Sequence, residues 1–160
     1  MALDRDSFTL LCNAAAVVLR ADDPEAAARG DQFVAHGIWC QIHHRKERNC
    51  LVLICDLGDP EPRTELELYR EMLTIQSTFA GNMEAMFIRD PINETLLFTA
   101  CVPLTPGLDG EGLAASIEPI LKQVTTWRET LLKGQFVDYE RLAERLLADL
   151  AGSSVAMLEV

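Results

Sequence analysis

Two apolar runs, residues 83–89 and 95–102, stand on either side of Asp90-Pro91-Ile92-Asn93-Glu94. Each run has the length of a strand, and the five residues between them are turn formers. Helical patterns flank the pair, so this stretch is expected to fold as an antiparallel hairpin held by two helices. It carries no residue suited to catalysis. What it offers is apolar surface and strand edges, and that chemistry suits a protein that binds other proteins.

Periodicity supplies the remaining elements. Phe8, Leu11, Cys12, Ala15, Val18 and Leu19 recur every three or four residues and predict a helix over 6–20, capped by Asp6 or Ser7. Residues 21–31 are polar, with Asp22-Asp23-Pro24 fit for a turn and room for a short helical turn at 25–29. A first strand is expected at 32–36, broken by Gly37. A second at 38–44 alternates, with Ile38, Cys40 and Ile42 on one side and Trp39, Gln41 and His43 on the other. Cys50 to Cys55 is uninterrupted apolar sequence and reads as a central strand covered on both faces. A loop is expected over 56–63. A helix over 64–79 starts at a capping-box pattern, Thr64 with Glu67, and carries Leu68, Met72, Ile75 and Phe79. A further helix runs from about 111 to 133, with Pro119 expected to kink it or delay its start. Gly134 stops it, and an amphipathic helix is expected over 138–150. The fold class is α+β, in the order α-β-β-β-α-β-β-α, a twisted antiparallel sheet flanked by helices with a C-terminal helical extension. Residues 1–135 are expected to form the domain and 136–160 the extension and tail.

The chain has 160 residues and a formal net charge of −11. Such an acidic molecule repels phosphate backbones, which argues against nucleic acid as a partner. The basic cluster Arg45-Lys46-Glu47-Arg48 reads as a solvated hairpin loop. No run reaches the roughly 18 apolar residues of a membrane span, and the N-terminus lacks a signal-peptide pattern, so a cytosolic protein with no membrane partner is expected. Five cysteines, Cys12, Cys40, Cys50, Cys55 and Cys101, are irregularly spaced and mostly sit in apolar runs, as small buried hydrophobes do. Cys40, His43, His44 and Cys50 are close in sequence, but no C-x2-C pair occurs and strand alternation separates His43 from Cys40 and His44, so no metal is expected. The alternative is a cysteine nucleophile, Cys40 or Cys50 beside His36, His43 or His44, although nothing local marks any thiol as activated. Gly107, Gly110 and Gly112 precede a helix, but Asp109 and Glu111 interleave them and disfavour phosphate. No cofactor is expected.

The residues also resemble a known family. The strand ending Ile54-Cys55-Asp56-Leu57-Gly58, the helix with Leu68-Tyr69-Arg70-Glu71-Met72-Leu73 running to Phe79-Ala80-Gly81-Asn82, the hairpin with Leu96-Leu97-Phe98, and the helix ending Trp127-Arg128-Glu129 are together similar to the class I type III secretion chaperones, the family that includes the Tir chaperone. The resemblance spans about 130 residues and rests on character and order. It implies a homodimeric, ATP-independent bacterial chaperone that binds the N-terminal segment of a secreted effector in extended form. The segment would pair at a sheet edge and drop apolar side chains into surface patches. On that footing effector contact is expected from Leu11, Ala15 and Val18 with Ile38, Cys40 and Ile42. Dimer contact is expected from Leu68, Met72, Ile75 and Phe79 with Met86 and Ile88. The alternatives are a small α+β cysteine-dependent hydrolase and a generic dimerisation module.

Overall fold

The computed structural model describes residues 4–79 and 84–137. Helices α1 (Arg5–Val18) and α2 (Pro24–Arg29) are followed by strands β1 (Phe33–Ala35), β2 (Ile38–Arg45) and β3 (Cys50–Gly58). Helix α3 (Glu65–Phe79), the hairpin β4 (Ala85–Arg89) and β5 (Leu96–Pro103), and helix α4 (Gly110–Glu129) complete the order, with single 3-10 turns at Lys46–Arg48 and Leu131–Lys133. The five strands form one antiparallel sheet in the order β1-β2-β3-β5-β4. This is the expected α+β architecture; the helix predicted over 138–150 lies outside the described residues.

Short polar side chains start the helices. Asp4, rather than Asp6 or Ser7, caps α1 by accepting the Ser7 N–H at 2.7 Å, which leaves Asp6 in the first turn, where a negative charge meets the helix dipole. Asp23 caps α2 and Asp109 caps α4 in the same way, through the N–H groups of Ala26 and Gly112. Asp109, read from sequence only as repelling phosphate, thus ends a loop and begins a helix. The α4 helix runs unbroken through Pro119, starting where the glycines predicted. Leu113, Ala114 and Ile117 before the proline and Ile120, Leu121, Val124 and Trp127 after it are all buried, and burial on that scale outweighs the ~3 kcal/mol a proline costs inside a helix.

The core lies on one side of the sheet. Helix α4 packs on β3 and β5, α1 lies against α4, and α2 fills the space beside α1 and β1. At the other end Phe79, Phe87, Phe98 and Trp127 form an aromatic cluster joining α3, the hairpin and α4, with Trp127 set edge-on 4.9 Å from both Phe87 and Phe98. The neighbouring Arg128 donates to the Gly37 carbonyl at 3.1 Å and so ties α4 to the β1–β2 turn. The Trp127-Arg128 pair, prominent in the sequence, is therefore a structural fastener.

Two strand expectations are corrected. β3 does not stop at Cys55. It continues to Gly58 across an irregularity in register at Asp56/Gly58, stabilised because the Asp56 carboxylate accepts from the Gly58 N–H and the Thr95 hydroxyl. Nor is it covered on both faces: Leu51, Leu53, Cys55 and Leu57 are buried, while Val52, Ile54 and Asp56 are only half-buried, because among the described residues the helices lie on one side of the sheet.

Candidate functional site: the uncovered sheet face

Strand alternation settles which side chains reach the uncovered face. Across it, register aligns Gln41, Ile54, Thr99 and Met86 in one row and Asp56, Leu97 and Ile88 in the next, with Trp39 beside Val34. Trp39 is 53% exposed and Met86 48%. A cavity of about 520 Å³ opens here, lined by Trp39, Gln41, Ile54 and Leu97 and rimmed by Asp56, Asp59 and Asp90. Apolar centre and acidic rim suit an extended polypeptide with apolar side chains and a neutral or basic character.

The sheet edges are less open. The Val34 N–H donates to Asp22 Oδ1 at 2.7 Å, and the Asp22 N–H donates to the Val34 carbonyl at 3.0 Å, so the outward peptide of the short strand β1 is already paired. On the opposite edge the Phe87 N–H donates to Gln76 Oε1 of α3 at 2.8 Å. Side chains thus occupy backbone groups that an added strand would need.

The predicted contact residues divide accordingly. Ile38, Cys40 and Ile42, with Leu11 and Ala15, are buried against the helices of the same chain. The more apolar set of an alternating strand turns inward, and these side chains build the core. Val18 is exposed, and beside it stand Leu10, 72% exposed, and Val17. Leu10, Ala14, Val17 and Val18 form a second apolar stripe at helical spacing on the outer side of α1. The signal lay in residues 10–19, where Asn13 is the single polar residue, too apolar for a helix with only one buried face. On α3, Leu68 and Met72 are core residues, and Ile75 and Phe79 pack partly against the core. The exposed apolar residues there are Leu66 and Leu73, the latter 66% exposed. Met86 and Ile88 are exposed on β4, and a 280 Å³ cavity between α3 and β4 brings Leu73, Gln76 and Ile88 together.

Reactive chemistry is weak. All five cysteines are free thiols and four are buried. Burial pushes Cys12 up to about 12, and the neighbouring Cys40 thiol together with burial raises Cys55 strongly. Burial and the adjacent Cys50 thiol push Cys101 up to about 12. A thiolate nucleophile needs the opposite shift. Among the described residues no group of three or more His, Cys, Asp or Glu side chains could hold a metal ion, and no helix is long and apolar enough to cross a membrane.

The chain is similar in fold to a chain in the crystal structure of the ExsC–ExsE complex, with a TM-score of 0.59 at 16% identity over 82% of this chain and 97% of that one. No curated protein sequence matches it. Residues 33–128, more than half of the chain, match the Tir chaperone protein family, CesT, and the chain belongs to that family of secretion chaperones.

Proposed function

We propose that this protein is a homodimeric chaperone which holds the N-terminal segment of a type III secreted effector in extended form, in the cytoplasm, without nucleotide or cofactor. The observation that carries the reading is the one-sided sheet. Among the described residues a chain of a secretion-chaperone family leaves an apolar strand face and the outer stripe of α1 uncovered, and unpartnered apolar surface of this kind marks a protein-binding site. The similar chain comes from the crystal structure of a complex, ExsC–ExsE, which supports a second polypeptide as the occupant.

Trp39, Ile54 and Leu97 on the sheet and Leu10, Val17 and Val18 on α1 are the guest contacts. The guest lies over these patches, and its affinity comes from side-chain burial more than from strand addition at the guarded edges. Leu66 and Leu73 of α3, with Met86 and Ile88 of β4 and the partly buried Ile75 and Phe79, form the dimer contact. Co-purification of the tagged chain from its own host, followed by mass spectrometry, tests the reading. The expected result is one dominant secreted protein recovered through its N-terminal segment, lost from a Trp39→Ala/Val17→Asp variant that keeps its melting temperature. Recovery of no stoichiometric protein, or equal recovery by the variant, overturns it.

A further inference from the structure

The loop cluster Arg45-Lys46-Glu47-Arg48 follows β2 and leads into β3. Its Lys46 meets Arg5 and Thr9 from the start of α1, Arg29 from the end of α2, and His44 from β2 around a cavity of about 290 Å³. Among the described residues no aspartate or glutamate lines it, in a chain with 25 acidic and 14 basic residues. Arg29 is already engaged by Asp31 at 2.8 Å and Glu25 at 3.9 Å. Arg5 and Lys46 form no ion pair among the described residues, so their charge is available to an incoming anion. The His44 ring lies stacked on Phe8, with centroids 6.1 Å apart and planes 10° from parallel, and its buried Nε2 has no hydrogen-bond partner among the described residues. That nitrogen is unsatisfied, and the two cations around the same cavity carry no ion pair among the described residues.

We propose that this cavity is an oxyanion site that takes a carboxylate of the bound polypeptide. Two cations around a small concavity bind a carboxylate through charge-assisted hydrogen bonds, which are stronger than neutral ones. The site lies at the N-terminal end of α1, on the helix that also carries Leu10 and Val17, so a guest lying along α1 can place an acidic side chain there. The guest's identity rests on the chaperone reading; the anion chemistry does not.

The test uses the ¹⁵N-labelled full-length chain at constant ionic strength and three probes: an N-acetylated, C-amidated diglutamate, its diglutamine counterpart, and inorganic phosphate. The diglutamate should shift the amide signals of Phe8, Thr9 and Lys46 and the imidazole signals of His44 saturably, and the diglutamine should not. Replacing exposed Arg5 and Lys46 with glutamine should weaken diglutamate binding about tenfold with the melting temperature unchanged. Phosphate competing for the same signals supports the shared oxyanion chemistry. Phosphate binding without diglutamate binding overturns the peptide carboxylate as ligand, and equal shifts from both peptides, or none at these residues, overturn the site. Because the probes are small, a failed search for a protein guest leaves this result standing, and the two failures are told apart.

Discussion

Gly110 shows how one missing atom can place two helices. A Cβ there would lie 2.4 Å from Ala14 Cβ and 2.9 Å from the Ala14 carbonyl carbon. The backbone of α1 cannot swing aside as a flexible side chain would, so a larger residue forces the α1–α4 contact apart. Helix propensity alone favours alanine over glycine by about 1 kcal/mol. The clash should win: Gly110→Ala is expected to lower unfolding free energy by about 1–3 kcal/mol, read from urea midpoints at unchanged m-value. A stabilised variant would show that α1 is not held this close. Cys12, on the buried side of the same helix α1, makes a pH prediction. Its thiol sits at about 12 against an ordinary value of 9.0, so the folded state disfavours the thiolate. The folded value is raised, so the contribution is intact below about pH 9 and is lost as pH climbs towards 12. Cys12→Ala should flatten the alkaline decline in stability by up to about 1.4 kcal/mol per pH unit; an unchanged slope would place the titration elsewhere.

At the scale of the element, α3 separates two kinds of apolar residue that look alike in sequence. Met72 is buried in the protomer and Leu73 beside it faces outward. Leu73→Glu should therefore convert the proposed dimer to monomer by light scattering, while shifting stability by no more than about 0.5 kcal/mol. Met72→Glu buries a charge and should unfold the protomer itself. A dimer that survives Leu73→Glu would move the contact off this face. The same distinction explains what the residues disclosed. Element order, the hairpin and the β2 alternation were legible because burial imposes a period on each. Which alternating set faced inward was not legible from β2 alone. Ile38, Cys40 and Ile42 were assigned to the guest, yet as the more apolar set they line the core, and Trp39 on the other set stays exposed. The bonds that Asp22 and Gln76 make to the sheet edges had no local signal, since their partners lie 12 and 11 residues away. Lys46 and Arg5 are 41 positions apart in the sequence, and only the fold brings them to one cavity.

Among the described residues the molecule is a sheet with helices on one side, and its apolar uncovered face must be reconciled with a net charge of −11. The acidic residues Asp56, Asp59 and Asp90 rim that face, so charge repulsion hinders like molecules from stacking there while leaving the apolar centre open to a neutral or basic segment. A site built this way ties stability to occupancy. A guest that binds only the folded state adds RT ln(1 + [L]/Kd), about 2.7 kcal/mol at a hundredfold excess over Kd. For a domain of this size that corresponds to a rise in melting temperature on the order of 5–11 °C. A dimer adds a second signature, since its melting temperature rises with protein concentration. Scanning calorimetry of the chain alone, across a hundredfold range of concentration, and then with the co-purified segment, should show both effects. The guest-induced rise should shrink for Trp39→Ala and the concentration dependence should vanish for Leu73→Glu. A melting temperature indifferent to both concentration and guest would mean that neither the sheet face nor α3 is buried by a partner, and the exposed apolar surface would then need another explanation.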